Sequence, residues 1–371
     1  MEARIVGAAE SPYSRHPPPG TTTESLLTDA YTRALAAGRV ERGSVDGLGV
    51  ASFTLAPDHV ADLAWRLGIR ARWLMEDTNG GAASLNMLQH AVRAVEAGDA
   101  TTIVLVAGDH FEGDAFRRLI ENYNRATVEE LSPQGLGPNQ LFALLTQRHM
   151  AAHGLAREDY GRLVIAQRAW AKRNPGAVYR EPMTMEDYLA APIVAEPLGR
   201  YDCVPVVSGA DAVVVRRSDV GVAIRAIRAL HNPDGQQGDG LRTGLAEAAD
   251  ELWNDAGLGP RDMDAAYVYD DYPAMVLIQL DDLGLVPDGD IARFVRDGGL
   301  ETLPVNTSGG QLSAGQAGAA GGMHGLVEAA CQLLGTAGER AVGARRVVVS
   351  GYGMVLYRYG ACSNAAVLEA I

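Results

Sequence analysis

The fold of this 371-residue chain is decided by one stretch, Asn306-Thr-Ser-Gly-Gly-Gln-Leu-Ser-Ala-Gly-Gln-Ala-Gly-Ala-Ala-Gly-Gly-Met-His-Gly325. Nine of its twenty residues are glycine or serine, and residues 326–334 that follow are apolar at i, i+3 and i+4 spacing. The pattern predicts a backbone-rich loop that leads into a buried helix. Such a loop directs N–H groups and a helix N-terminus towards a ligand, although a glycine-rich turn without a ligand has the same composition.

This stretch resembles the Asn-x-x-Gly-Gly…Gly-His-Pro-x-Gly-Ala-x-Gly signature of the thiolase superfamily, and in particular its sterol-carrier-protein-x-type branch. The chain departs from the signature at the histidine of Gly-His-Pro, where it has Gln316. The resemblance covers nearly the whole chain. It implies a thiolase fold, an α/β arrangement of five layers, α-β-α-β-α, with two pseudo-duplicated halves and a helical loop domain inserted in the first half.

The composition is that of an ordinary globular enzyme, with 47% apolar and 21% charged residues. Thirty-two basic and 46 acidic side chains give a net charge of −14, which argues against nucleic acid or an anionic membrane as the main partner. The three cysteines have no paired spacing, which argues against disulfides and zinc clusters. There is no signal pattern at the N-terminus and no apolar run near the ~18 residues of a membrane span, so we expect a cytoplasmic protein.

Strands and helices alternate along most of the chain, which predicts a doubly wound α/β layer. The alternation is interrupted at about residues 113–200, which are mostly helical and are interpreted as the inserted loop domain. Two Gly-Gly loops, at 80–81 and 309–310, each lead into a helix and then into a valine-rich strand.

This internal similarity divides the chain into an N-terminal half, residues 1–220, and a C-terminal half, residues 221–371. The apolar, β-branched strand predicted at residues 101–107 is expected to be the edge strand that pairs across a homodimer.

The residues that carry thiolase catalysis are missing. In a thiolase the nucleophilic cysteine lies at the N-terminus of a buried helix, where the helix dipole lowers its pKa; that place falls here at Gly81 or Ala82. The place of the second catalytic cysteine falls at Val349 or Ser350, and Gln316 replaces the histidine. The cysteines that the chain does have are interpreted as small buried or edge residues: Cys203, Cys331 and Cys362. Thiolase Claisen chemistry is therefore not expected.

The remaining thiolase motif follows a strand of the second half and reads Val268-Tyr-Asp-Asp-Tyr-Pro273. It resembles the Tyr-Asp-x-Phe of the thiolase-like aldolases of steroid side-chain breakdown, which also lack the cysteines. The resemblance implies retro-aldol cleavage of a β-hydroxyacyl-CoA with Tyr269 as acid/base and Asp270 as a positioning group. It also implies an accessory protein of the OB-fold/zinc-ribbon kind as partner. Without the resemblance, Tyr269 packed at a strand end would be the simpler interpretation.

Retro-aldol cleavage needs a base for the β-hydroxyl, a site for the enolate oxygen and an acid for the released α-carbon. Candidates for the enolate site are the backbone N–H groups of two facing glycine turns: Gly81, Gly351 and Gly353. The steroid aldolases have a second tyrosine where this chain offers Gln316, so His324 or Tyr352 is left to supply the second proton, although each also fits a packing role. A tyrosine base requires a pKa lowered from about 10 by buried donors or a cation.

The predicted insertion carries a basic cluster where a thiolase loop domain meets the nucleotide of coenzyme A. Arg168, Lys172 and Arg173 are the candidates for its phosphates, and a solvated helix face is the alternative. His149 and His153 have the i, i+4 spacing of a metal pair but no accompanying third ligand or glutamate base, so no metal is expected. No cofactor is expected besides the coenzyme A of the substrate.

These observations predict a thiolase-like lyase that cleaves or forms a carbon–carbon bond of an acyl-CoA by aldol chemistry. Two alternatives remain open. One is a non-catalytic acyl-CoA-binding or scaffold subunit of a multicomponent acyltransferase. The other is an acyltransferase that borrows a cysteine from a partner. The acyl group and the direction of the reaction are not specified by the sequence.

Overall fold

A computed structural model describes residues 2–356 and 358–371. Its strands are β1 (Glu2–Glu10), β2 (Gly47–Ala51), β3 (Trp73–Glu76), β4 (Thr102–Asp109), β5 (Ile193–Ala195), β6 (Leu198–Gly199), β7 (Gly209–Ser218), β8 (Val222–His231), β9 (Ala265–Tyr267), β10 (Arg346–Val355) and β11 (Gly360–Ala370). Its helices are α1 (Thr23–Ala37), α2 (Val60–Arg66), α3 (Ala83–Ala97), α4 (Ala115–Glu121), α5 (Pro138–His153), α6 (Arg157–Ala171), α7 (Met185–Ala190), α8 (Leu245–Ala256), α9 (Pro273–Asp282), α10 (Ile291–Arg296), α11 (Gly299–Thr302), α12 (Gly310–Ala314) and α13 (Gly321–Leu333).

Nine of the described strands form one mixed sheet in the order β3-β2-β4-β7-β1-β8-β11-β10-β9. The pairing between β1 and β8 covers the two residue pairs Arg4–Ala223 and Ile5–Val222. This short contact joins a first-half sheet, β3-β2-β4-β7-β1, to a second-half sheet, β8-β11-β10-β9. The strands of the sheet at residues 2–218 therefore lie on one side of this contact, and those at residues 222–370 lie on the other.

Three apolar cores define the layers. In β4, Ile103 and Leu105 face a central core that contains α3 and α13, while Val104 and Val106 face an outer core with α1 and α2. This alternation follows from the two-residue period of a strand. A second outer core packs α8 and α9 against the other sheet. The resulting order is helix, sheet, helix, sheet, helix, which confirms the predicted five-layer α/β fold.

The prediction that residues 101–107 form an edge strand is wrong. Strand β4 lies between β2 and β7, and the edge of the first-half sheet is β3. The continuous apolar sequence of β4 reflects burial on both faces between two layers and not an exposed edge.

The segment between β4 and β7 carries helices α4–α7 and the β5–β6 hairpin. Local side chains start these helices. The Oγ1 atom of Thr184 accepts a hydrogen bond from the N–H of Asp187 at 3.1 Å at the start of α7. The Asp159 carboxylate accepts one from the N–H of Ala156 at 2.8 Å at the start of α6. Asp159 also binds Arg296 of α10 at 2.7 Å, so α6 is held against the second half of the chain.

The glycine-rich stretch forms α12, a 3-10 turn at Gly318–Ala320 and then the buried helix α13. At its start Asn306 forms two hydrogen bonds with Val268, donating to its carbonyl oxygen at 2.9 Å and accepting from its N–H at 3.0 Å. The loop is thereby fixed beside the residue that follows Val268. Among the described residues, no helix is both long and apolar enough to cross a bilayer.

Candidate active site

Tyr269 lies two residues beyond the end of β9, and its ring packs on Gly81. A Cβ atom added at Gly81 would be 2.5 Å from Cζ of Tyr269, a distance that side-chain atoms do not tolerate. The Tyr269 hydroxyl accepts a hydrogen bond from Nε2 of Gln316 at 3.0 Å. The ring therefore occupies the space beside the helix start where a thiolase cysteine would stand, and Gln316 fixes its hydroxyl.

A cavity of about 220 Å³ opens beside this pair. It collects five of the residues that the sequence predicts for the site: Tyr269, Gln316, Tyr352, Gly81 and Gly353. Much of the remaining wall is apolar or aromatic: Phe53, Phe116, Leu119, Ile120, Val204, Val206, Met354 and Val355. Three of these come from one face of α4, at i, i+3 and i+4. The inserted segment therefore supplies one side of the cavity, and the two halves of the fold supply the others.

Asp270 lies behind the cavity. One of its carboxylate oxygens accepts the N–H of Gln311 at 3.0 Å, and the other accepts Nε2 of Gln167 at 2.9 Å. Burial raises the pKa of Asp270 to about 7, against the opposing effect of these donors. Asp270 thus connects α6 and α12 to the backbone next to Tyr269. This geometry suits the predicted role of Asp270 in positioning Tyr269.

Asp271 was not singled out by the sequence analysis, but it lines the cavity. Its Oδ1 atom is buried and has no hydrogen-bond partner among the described residues. Burial, and secondarily the neighbouring carboxylate of Asp270, raise the pKa of Asp271 to about 8. The sequence signal for Asp271 is the motif Tyr-Asp-Asp-Tyr, in which two consecutive carboxylates lie between two tyrosines. Asp271 is the second of these carboxylates, and it reaches the cavity because the motif begins two residues after the end of β9.

The environment of Tyr269 favours a proton donor. Burial raises the pKa of its phenol well above the usual value of 10, and the Asp271 carboxylate and Tyr123 raise it further, while the hydrogen bond from Gln316 lowers it. The acidified phenol that a tyrosine base requires is therefore not produced by these surroundings. A protonated Tyr269 that accepts from Gln316 keeps its own O–H free to donate.

The two candidates for the second proton donor lie in different places. Tyr352 lines the cavity, and its hydroxyl accepts the N–H of Gly360 at 2.7 Å, so its proton can be donated elsewhere. His324 is buried in α13 and does not line the cavity; its Nε2 atom is 2.8 Å from Oγ of Ser308. Tyr352 thus shares the main cavity with Tyr269, whereas His324 shares with Tyr269 only a second, much smaller pocket.

The predicted glycine turns are in fact one turn and one strand. Gly81 belongs to the 3-10 turn before α3, whereas Gly351 and Gly353 lie inside β10, paired with Asn364 and Cys362 of β11. A Cβ atom at Gly353 would be 2.6 Å from the backbone nitrogen of Gly81. The close approach of the two backbones is why side chains are missing here. Gly81 and Gly353 line the cavity and Gly351 does not.

The described cysteines are poor nucleophiles. Cys203 lines the cavity, but burial, with a contribution from the Asp202 and Asp271 carboxylates, raises its pKa to about 12. Burial likewise raises the pKa values of Cys331 and Cys362 to about 11. These thiols are protonated at neutral pH and lack the thiolate that acyl transfer needs.

The basic cluster is divided by burial. Arg168 is buried, donates from Nε to Oγ of Ser313 at 3.1 Å and lies 4.8 Å from the centre of the Tyr179 ring. One of its terminal guanidinium nitrogens has no hydrogen-bond partner among the described residues. Lys172 and Arg173 are exposed along a groove of about 480 Å³ that Arg168 also lines. This groove shares no lining residue with the cavity beside Tyr269.

Comparison with known proteins agrees with this fold. A family model described as Thiolase C-terminal domain-like matches residues 229–363. The chain is 33% identical to the 17-hydroxy-3-oxo-4-pregnene-20-carboxyl-CoA lyase of Mycobacterium tuberculosis, over 94% of this chain and 96% of that protein. It is 31% identical to the steroid side-chain-cleaving aldolase of Thermomonospora curvata, over 90% of each.

Among solved structures, the Ltp2-ChsH2(DUF35) aldolase superposes with a TM-score of 0.84 at 26% identity, covering 100% of this chain and 98% of that one. The chain belongs to the thiolase superfamily, in the sterol-carrier-protein-x-type branch that includes these thiolase-like aldolases. It is a carbon–carbon lyase of the aldolase type.

Proposed function

We propose that the chain cleaves the Cα–Cβ bond of a β-hydroxyacyl-CoA by retro-aldol chemistry, or forms that bond in the reverse direction. The observation that carries the proposal is the shared cavity of Tyr269 and Asp271. One has a hydroxyl held by Gln316, and the other has a buried oxygen without a partner. The names of the two relatives, a carboxyl-CoA lyase and a steroid side-chain-cleaving aldolase, support this substrate class.

Asp271 serves as the base. Its ionised carboxylate accepts the proton of the β-hydroxyl, the β-carbon becomes a carbonyl, and the electron pair of the Cα–Cβ bond moves into the thioester as an enolate. A pKa of about 8 suits this step, because a base is most effective when its pKa lies near the working pH. The step consumes neither water nor an oxidant.

Tyr269 serves as the acid. Its phenol donates a proton to Cα of the enolate, which releases the shortened acyl-CoA. Exchange with solvent then removes the proton from Asp271 and returns a proton to Tyr269. Tyr352 lies in the same cavity as a further hydroxyl donor. The enolate oxygen is placed at the N–H of Gly81, where the 3-10 turn meets the backbone of Gly353.

The cavity walls favour an apolar substituent on the β-carbon, since the residues from α4 and β10 are mainly aromatic or aliphatic. The nucleotide of coenzyme A is assigned to the groove of Lys172 and Arg173, whose charges suit its phosphates. Arg168 lines the same groove, but its guanidinium lies over tyrosine rings, so the two exposed side chains are assigned the main contacts with the phosphates.

Two protein partners belong to the proposal. The first is an accessory protein of the OB-fold/zinc-ribbon kind, supported by the similarity to an aldolase whose name includes a DUF35 component. The second is another copy of this chain at the β3 edge. Leu74 of β3 is 41% exposed, and Trp65 of the adjacent α2 is 79% exposed, so this edge presents apolar surface that a dimer would cover.

The test is an assay of a panel of β-hydroxyacyl-CoAs by mass spectrometry, with and without the accessory protein. Wild type is expected to release a ketone or aldehyde and a shortened acyl-CoA, and Tyr269→Phe to lose about 10²–10⁴-fold in rate because it lacks the acid.

Tyr267→Phe is the matched control, since Tyr267 precedes Tyr269 by two residues but its hydroxyl is 3.2 Å from Oγ1 of Thr307, outside the cavity. It should retain most of the activity. Equal acyl-CoA binding by wild type and Tyr269→Phe, with no turnover by either, would instead support the scaffold alternative.

A further inference from the structure

A second group of ionisable side chains lies outside the catalytic cavity, where β1, β7 and α13 meet. Glu10 and Asp211 are directly opposite each other in the antiparallel β1–β7 pair, so their side chains share one face of the sheet. Nδ1 of His324 is 3.8 Å from Oε2 of Glu10 and 3.8 Å from Oδ2 of Asp211. One ligand atom from each residue lies within 4.8 Å of the others.

The charges of this cluster are not balanced by the surrounding side chains. Like charges directly opposite on neighbouring strands are destabilising. The cation that influences Glu10 is Arg340, but its guanidinium already binds the Glu328 carboxylate at 2.9 Å. Glu10 therefore shares this guanidinium with Glu328, and a bound cation would offset the charges of the pair Glu10–Asp211.

Two buried polar atoms of this cluster lack hydrogen bonds. Oδ1 of Asp211 and Nδ1 of His324 are both buried and have no hydrogen-bond partner among the described residues. A gap of 3.8 Å exceeds a hydrogen bond, so a proton on Nδ1 does not bridge it. A metal ion does, because two bonds of about 2.0–2.2 Å span such a gap when the ion lies between the donor atoms.

The neighbours of the cluster orient it as the outer partners of a metal site would. Nε2 of His324 is 2.8 Å from Oγ of Ser308, and a proton donated there leaves the Nδ1 lone pair directed at the two carboxylates. The Tyr13 hydroxyl donates to Oδ2 of Asp211 at 2.9 Å. Glu10 is 31% exposed, so one ligand reaches the surface and provides an entry path.

We infer that Glu10, Asp211 and His324 bind one divalent transition-metal ion, Zn²⁺ or Mn²⁺. One imidazole nitrogen and two carboxylates are ligands that both ions accept. The ion has a structural role: it joins β1 and β7 of the first half to α13 of the second half. It also fixes both ends of the segment from Ser308 to His324, which carries Gln316. The three ligands come from distant parts of the chain, so no spacing motif predicts them, and the inferred site differs from the expectation of no metal drawn from the sequence.

The test uses the full chain without a polyhistidine tag. After incubation with ZnCl₂ or MnCl₂ and exhaustive dialysis, elemental analysis is expected to find about one ion per wild-type chain, and thermal unfolding to occur at higher temperature than in chelator-treated protein. His324→Gln and the milder, partly exposed Glu10→Gln should each lower the retained metal about tenfold or more.

His149→Gln is the matched control. His149 is another buried histidine, but its Nδ1 is 2.8 Å from the Tyr160 hydroxyl, outside the cluster, so this variant should retain the ion. The inference is overturned if wild type retains no stoichiometric metal from either salt. It is also overturned if Glu10→Gln and His324→Gln retain as much metal as wild type.

Discussion

Tyr269 and Asp271 follow the same strand, two positions apart, and burial makes both harder to ionise. The consequences differ because their ordinary pKa values differ. A phenol whose pKa is raised above 10 stays protonated through the physiological range, whereas a carboxyl with a pKa of about 8 changes state near it. The separation of an acid from a base thus follows from residue type in a common environment.

Replacement of Asp271 by Asn is expected to lower kcat/KM by about 10²–10⁴-fold. In wild type kcat/KM should fall about tenfold per pH unit below pH 8, since a carboxyl protonated below its pKa cannot accept the β-hydroxyl proton. Pre-steady-state or steady-state rates between pH 5.5 and 9 measure this limb, which Asp271→Asn should abolish.

A measurement of the free energy of unfolding distinguishes the loss of a catalytic base in Asp271→Asn from a loss of folded protein. The folded-state pKa of Asp271 lies above the ordinary value of 3.8, so its contribution to stability is lost as the pH rises from about 4 through 8. Asp271→Asn should therefore unfold no more easily than wild type at pH 8. Asp282→Asn is the control: burial also raises the pKa of Asp282, to about 7, but it lies outside the cavity, so this variant should keep the pH limb. If kcat/KM of Asp271→Asn still falls below pH 8 as it does in wild type, the assignment of Asp271 as the base is contradicted.

At the level of single residues, the sequence predicted the candidates that belong to a recognisable motif. It did not predict properties that depend on how deeply a side chain is buried. Tyr269, Gln316 and Gly81 were predicted from the resemblance of their motifs to those of the thiolase superfamily, and all three line the cavity. Asp271 was missed because the motif leaves its position unspecified. The burial of Arg168 against tyrosine rings was likewise not visible in the sequence, because periodicity alone does not show which way a helical arginine points.

Among the elements, the contact between the 3-10 turn before α3 and strand β10 shapes the site. The backbones of Gly81 and Gly353 approach so closely that neither position has space for a Cβ atom. The absence of a side chain at Gly81 also leaves space for the Tyr269 ring. Glycine at Gly81 is thus required by packing as well as by its place in the proposed enolate site.

Gly81→Ala is expected to displace the Tyr269 ring and the Tyr352 carbonyl group, both of which a Cβ atom would meet. Overpacking of this kind lowers the free energy of unfolding by about 1–3 kcal/mol. The rate of cleavage should fall at least as much as in Tyr269→Phe, because ring and turn are both moved. Denaturant unfolding and the cleavage assay measure the two effects.

Gly43→Ala is the matched control, since no atom lies within 4 Å of the place where its Cβ would stand. It should leave both stability and rate near the wild-type values. Full activity in Gly81→Ala would contradict the packing of Tyr269 on this turn.

Helices and strands were largely predictable because their signals are local. The helices of the insertion and the strands of both halves follow apolar periodicity and glycine ends. Strand order was not predictable in the same way. Residues 101–107 were expected at an edge, but β4 pairs with β2 on one side and β7, more than 100 residues later, on the other.

In the whole molecule, the site lies where three parts of the chain meet. Gly81 comes from the first half, Tyr269 and Asp271 from the second, and Phe116 from the inserted segment. The duplication was visible in the sequence as repeated Gly-Gly loops. The convergence of Glu10, Asp211 and His324 was not, because it depends on the register of β1 with β7 and on the packing of α13.

The most direct test of the central claim is cleavage of a β-hydroxyacyl-CoA in D₂O, with mass analysis of the shortened acyl-CoA. Retro-aldol cleavage passes through an enolate that an exchangeable phenol protonates, so the product should carry one deuterium at Cα, with no requirement for free coenzyme A. A product without deuterium at Cα, or cleavage that depends on added coenzyme A, would contradict the assignment of this chain as a retro-aldol lyase.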